Sequence, residues 1–209
     1  AIFTNNVGPF EKMKLRMLNG THSMLAYVGF HCGHRYVRDV MNDKVLSRLV
    51  NRHLQIAAQT LKPIKGIDYN NYAKSLILRF SNPEIAHETF QIAMDGSEKM
   101  QQRIFFPLKD AISLNLNIRP FVFAIAAWLR HISQSKHDCA PYELRDPIAD
   151  QLTPLPKERS AHSILDYLSR IGFLIDDLKE DKMFWGQVSD ILNDMLCKPM
   201  KSVVEQEII

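Results

Sequence analysis

Glycine is scarce in this 209-residue chain: there are eight, and none forms a G-x-G-x-x-G or a P-loop. Those loops need glycine so that backbone N–H groups can close on phosphate, and the chain shows no nucleotide-binding loop of its own. Cysteine is scarcer still. Cys32, Cys139 and Cys197 are odd in number and widely spaced. That excludes a disulfide framework, suits a reducing compartment and predicts a cytoplasmic location. Long apolar runs are missing too: the longest, FVFAIAAWL at 121–129, falls well short of the ~20 residues that cross a bilayer. The start carries no basic stretch followed by an apolar one, so no signal peptide is expected. Charge of one sign is not in excess. With a net +3 and its basic residues scattered, the chain lacks the basic stripe that a nucleic-acid partner would require. His31-Cys32-Gly33-His34 concentrates ligand-type residues, but its spacing fits no common zinc pattern and no second ligand pair follows, so no metal is expected.

What is present is helical periodicity. The turn Val7-Gly8-Pro9 places Pro9 to open a helix that runs to about Phe30. Apolar residues three and four apart continue over 36–61, with a break near Asp43, and a turn follows at 63–66. Further helices are predicted over 69–80, 84–94, 98–114, 120–133, 158–171 and 182–196. Asn82 is read as the N-cap of the 84–94 helix, with Pro83 in its first turn. The stretch 135–156 is rich in proline and reads as the least regular part. No alternating strand pattern, internal repeat or low-complexity segment emerges. The fold class is all-α, a multi-helix domain over 1–209. The chain begins AIFTNN, without methionine, and is read as a piece of a longer protein.

One helix carries an anomaly. In KMKLRMLNGTHSMLAY, at about 100° per residue, Lys14 falls in the middle of the apolar stripe made by Met17, Leu18, Leu25 and Val28. Asn19 and His22 lie along one edge of that stripe. Two readings stand at this point. Lys14 is either a lysine whose stem lies on apolar surface with its head in water, or a desolvated amine tuned toward neutrality. The second would make it a general acid–base, with the Asn19 amide and the His22 N–H as donors to a developing oxyanion on a carbonyl.

Lys14-x4-Asn19-x2-His22 within KLRMLNGTHSMLAYVG resembles the signature helix of the polyol-specific long-chain dehydrogenases, the mannitol dehydrogenase family. PFEKMKLRMLNG, RFSNPEIAHETFQIAMDGSEKMQQR, AIAAWLRHIS and YELRDP (142–147) extend the likeness over most of the chain. Within the family, QIAMDGSEKMQQR resembles the fructuronate reductase (D-mannonate oxidoreductase) branch. Gln91 stands where mannitol dehydrogenases tend to carry arginine, which points to a hexuronate and away from mannitol.

The resemblance implies an NAD-dependent oxidoreductase interconverting a 2-keto sugar acid and its aldonate. Its N-terminal Rossmann domain, absent from this chain, would hold the NAD, and the helical C-terminal domain would hold the catalytic residues. It makes Lys14 the general acid–base, with Asn19 and His22 polarising the carbonyl and Lys99 touching substrate. Arg103 and Arg79 are candidates to grip a uronate carboxylate, because a guanidinium can do so bidentately. A tagaturonate reductase, a mannitol 2-dehydrogenase and a non-catalytic helical binding module are the alternatives.

Overall fold

The computed structural model describes residues 6–134, 142–152, 160–173, 178 and 181–208. Among them the regular structure is all helical, and the one β contact is an isolated antiparallel bridge between Tyr36 and Glu88. No described helix is long and apolar enough to cross a membrane.

The chain opens with a continuous rod: α1 (Gly8–Met13), a π-helical stretch (Lys14–Gly20) and α2 (Thr21–His31). Proline in the first turn starts it, as the sequence suggests. Next come α3 (Val37–Asn42) and α4 (Lys44–Gln59), parted at Asp43, whose carboxylate accepts the N–H groups of Val45 and Leu46 and so caps α4. Asp68 caps α5 (Tyr69–Phe80) in the same way. After α6 (Thr89–Ala93), a second rod repeats the plan of the first: α7 (Gly96–Met100), a π-helical stretch (Gln101–Phe105) and α8 (Phe106–Ser113). The series ends with α9 (Arg119–Ser133), α10 (Ala149–Leu152), α11 (Ala161–Arg170), α12 (Lys182–Cys197) and α13 (Met200–Ile208).

Two helices make the centre. In α9 every residue from Pro120 to Ser133 is buried, and in α2 so are Thr21 and everything from Ser23 to Gly29. A helix without a polar face belongs inside, so the run FVFAIAAWL that is too short for a membrane becomes the axis of the core. Ala124, Ala126 and Ala127 let neighbours approach that axis closely. Crossing helix α12 packs against it, and Arg130 Nε donates to the Met195 carbonyl at 2.9 Å. The short α13 has a weak periodic signal and is missed by sequence. It is fixed by the buried Glu207 carboxylate, which Arg52 and Arg119 approach to 3.1 and 2.8 Å.

One predicted helix, 84–94, is wrong in its first half. Residues 84–88 are not helical, and helix begins only at Thr89. Asn82 caps no helix; its Oδ1 accepts the Glu84 N–H and closes a turn. Long-range pairing then outcompetes the local preference. Val37 N–H donates to the His87 carbonyl and Thr89 N–H to the Arg35 carbonyl, while Arg35 pairs with Glu88 at 2.7 Å. The first part of the predicted 158–171 helix and much of the 135–156 stretch lie outside the described residues.

His53, on α4, is fully buried beside the Pro120 carbonyl with neither ring nitrogen in a good hydrogen bond. Burial pushes its pKa from 6.5 down to about 4. As pH falls below about 6.5 the unfolded chain takes up a proton that the folded chain refuses until about 4, so stability is lost across that window. His53→Leu removes this penalty. The unfolding midpoint should rise more at pH 5 than at pH 8; an equal shift at both would show that His53 is not the titrating group.

Candidate active site

The first rod carries Lys14, Asn19 and His22, and its π winding rearranges them. Lys14 is exposed, while Arg16, Met17 and Leu18 are buried in succession and Asn19 is half-buried. The apolar stripe drawn with Lys14 at its centre is therefore incorrect, and so is the desolvation expected from it within this chain. A regular wheel assumes one turn per 3.6 residues; in a π-helix the hydrogen bonds run i→i+5. Lys14 and Asn19 thus stand one hydrogen-bonded turn apart on a shared face, and Asn19 and His22 are three apart, which keeps neighbours together on a helix. Widened turns of this kind occur frequently at functional sites.

His22 sits where α5, the 81–88 loop and the second rod converge. Its ring lies on Phe80 with centroids 4.6 Å apart, and His87 meets it edge-on at 6.0 Å. Nε2 is buried with no hydrogen-bond partner, a state that stability alone does not favour. Burial pushes the imidazole pKa down to about 4, and the charges of His87, Arg79 and Arg103 push in the same direction. His22 is therefore neutral at physiological pH, with one N–H to donate and one nitrogen to accept.

The two arginines differ. Arg79 is exposed in the last turn of α5. Arg103, on the second π stretch, is half-buried, and burial lowers its pKa. Its Nη1 donates to Ser23 Oγ at 3.1 Å. Neither guanidinium pairs with a carboxylate among the described residues, although the Asp95 carboxylate acts on Arg103 from beyond contact distance. Lys99 is engaged: its Nζ donates to the Met94 carbonyl at 2.6 Å and pairs with Asp95 at 3.2 Å. The turn beneath Lys99 is held from the side by the YELRDP segment. The Arg145 carbonyl accepts the Asp95 N–H, and Asp146 takes both the N–H and the hydroxyl of Ser97.

The structure thus gathers His22, Arg79 and Arg103 into one electrostatic neighbourhood, and places Lys14 and Asn19 along the same rod. His87 falls in the stretch predicted as helix over 84–94; it lies instead on a non-helical segment beside His22. Ser23 was not noticed, although it directly follows a candidate residue. His31, Cys32 and His34 build no metal centre: no group of three or more His, Cys, Asp or Glu side chains among the described residues is arranged to hold an ion. Burial instead drives the Cys32 thiol up to about 12.

Comparison with known proteins gives this arrangement its class. Residues 6–196 match the model of the mannitol dehydrogenase C-terminal domain, and the chain belongs to that family. An uncharacterized oxidoreductase of Escherichia coli, YdfI, is 32% identical over 98% of this chain and 42% of its own length. The D-mannonate oxidoreductase of the same organism is 36% identical, over 90% of this chain and 39% of its own. In fold, the chain superposes with a TM-score of 0.90 on mannitol 2-dehydrogenase of Pseudomonas fluorescens, solved with NAD and D-mannitol, at 24% identity over 99% of this chain and 42% of that one. The chain therefore spans well under half the length of these relatives.

The neutral His22 is directly observable. In histidine-selective NMR its ring should show no protonation between pH 8 and 5, with its midpoint near 4. A midpoint at or above 6 would mean that burial and the neighbouring cations do not act on it.

Proposed function

We propose that this chain is the substrate-binding and catalytic domain of an NAD-dependent dehydrogenase that interconverts a 2-keto hexuronate and its aldonate, of the fructuronate/D-mannonate type. The observation that carries this is the charge around His22. Arg79, His87 and Arg103 all act on it with no carboxylate in contact with either arginine among the described residues, and a half-buried guanidinium with no ion-pair contact favours an anion that completes it. The carboxylate of a sugar acid does so, and Arg103 and Arg79 are its proposed ligands. The likeness to the D-mannonate oxidoreductase supports the same substrate class.

Each residue then has a role. Lys14 takes the hydroxyl proton as the alcohol carbon is oxidised and returns it in the reverse direction. Asn19 and neutral His22 donate to the oxygen as charge develops on it. Lys99, tethered through Met94 and Asp95, contacts substrate from the rim. An exposed lysine needs another surface to desolvate it, and we assign that surface to an N-terminal dinucleotide domain outside this chain. That domain must also hold the NAD. The chain's own eight glycines stand singly and offer no phosphate cradle. Free thiols at Cys32 and Cys197 suit a cytoplasmic setting for such an enzyme.

A neutral-polyol reading, supported by the structural likeness to mannitol 2-dehydrogenase, is the second possibility; a tagaturonate reductase differs from the first only in stereochemistry. A binding module without catalysis would have no use for a neutral, unpartnered imidazole beside Asn19. Assay of the full-length protein on D-fructuronate against D-fructose separates the first two, and preference for fructose would overturn the carboxylate reading. In that protein Asn19→Ala or His22→Ala should each lower kcat by about 10²–10³, the scale of one lost oxyanion donor. Lys14→Ala should remove most of the rate together with the rise of alcohol oxidation with pH. Full turnover in any of the three would remove that residue from the chemistry.

A further inference from the structure

The two rods touch along one face of the first. Gly20, Ser23 and Tyr27 recur at i, i+3 and i+7, which aligns them on a helix. Each meets the second rod. A Cβ on Gly20 would lie 2.6 Å from the Arg103 carbonyl oxygen, far inside contact distance. Ser23, fully buried, accepts a hydrogen bond from Arg103 Nη1 at 3.1 Å. Tyr27 presents its hydroxyl at Gly96, where a Cβ would approach it to 2.6 Å and Trp128 Nε1 to 2.5 Å.

Arg103 is thereby fixed at both ends. Its backbone is pinned by the close approach of Gly20, and its guanidinium is tied to Ser23, the one hydrogen-bond acceptor it has among the described residues. A long, flexible side chain gives up rotamer freedom when it binds a ligand, and a residue that fixes it beforehand removes that cost from binding. We propose that Ser23 is a specificity-determining positioning residue: it aims Arg103 at the carboxylate of the substrate while its neighbour His22 addresses the carbonyl. The proposal rests on the carboxylate reading of Arg103 above and adds to it how the sequence couples acid recognition to the reacting carbon. Two adjacent positions on one helix serve the two ends of the substrate.

The test is a double-mutant cycle in the full-length protein, read by steady-state oxidation of D-mannonate with NAD. Ser23→Ala should raise KM about ten-fold, the scale of one hydrogen bond to a charged group, with kcat kept within about two-fold. In an Arg103→Met background the same substitution should leave KM unchanged, because there is no guanidinium to aim. A merely structural serine would instead lower activity in both backgrounds alike, and that result overturns the proposal. So does a Ser23→Ala enzyme with wild-type KM when Arg103→Met alone raises it. If Arg103→Met leaves KM untouched, or the wild-type enzyme oxidises neither D-mannonate nor its stereoisomer D-altronate, the carboxylate reading itself fails and takes this proposal with it. Ser23→Cys, close in volume and a weaker acceptor, is read in place of Ser23→Ala should the alanine variant not fold. It should also raise KM, and a wild-type value there counts against the role.

Discussion

The contact on which the rest of the structure depends is the approach of Gly20 to the backbone carbonyl of Arg103, with 2.6 Å between that oxygen and the place a Cβ would occupy. It joins the two widened stretches of helix, Lys14–Gly20 and Gln101–Phe105. Any side chain at position 20 would push the rods apart, because the atom it meets is backbone and has no rotamer to change. With the rods in contact, residues from distant parts of the sequence are brought to one place. His22 and Ser23 come from one rod, Arg103 from the other, and Arg79 and His87 from the segments that pack beside them.

Burial does the electrostatic work at that place. His22 is surrounded by aromatic ring and cationic groups, and its depressed pKa follows first from lost hydration and then from like charge. Arg103 suffers the same desolvation, opposed in part by the charges of Tyr27 and Asp95, with no carboxylate in contact with its guanidinium among the described residues. Such sites are poor for stability. Proteins retain perturbed, incompletely paired groups most often where a ligand completes them. In the core around α2 and α9 apolar residues predominate and Arg130 Nε donates to the Met195 carbonyl, yet Thr21 Oγ1, Tyr27 OH and Trp128 Nε1 are also buried there without a hydrogen-bond partner.

The contrast between Lys14 and His22 shows how position decides chemistry. Both lie on the same rod, eight residues apart. His22 reaches into the crevice between elements of this chain, and its environment is already set. Lys14 faces outward and has no such environment here. The acid–base role proposed for it would therefore depend on a surface supplied from outside this chain, whereas the role proposed for His22 would use surroundings this domain already supplies.

The sequence by itself determined the helical class, most of the helix bounds and the identity of the candidate residues. Caps, prolines and apolar spacing act over three or four residues, and they are legible wherever local preference and packing agree. The break near Asp43 and the helix start at Pro9 are read correctly for that reason. Family likeness marked Lys14, Asn19 and His22, because the types and intervals are written in the chain whatever the winding between them.

Tertiary structure alone decided the winding, the neighbours and the charge state. Residues 84–88 read as helix but pair across to 35–37, because two backbone hydrogen bonds and an ion pair to a distant segment outweigh a weak local propensity. No local pattern announces a π-helix, whose hydrogen bonds differ from those of an α-helix by one residue. Packing against the second rod therefore fixed which way Lys14 faces. The depressed pKa of His22, the exposure of Lys14 and the aim of Arg103 all depend on atoms far away in sequence, and only folding brings those atoms within reach.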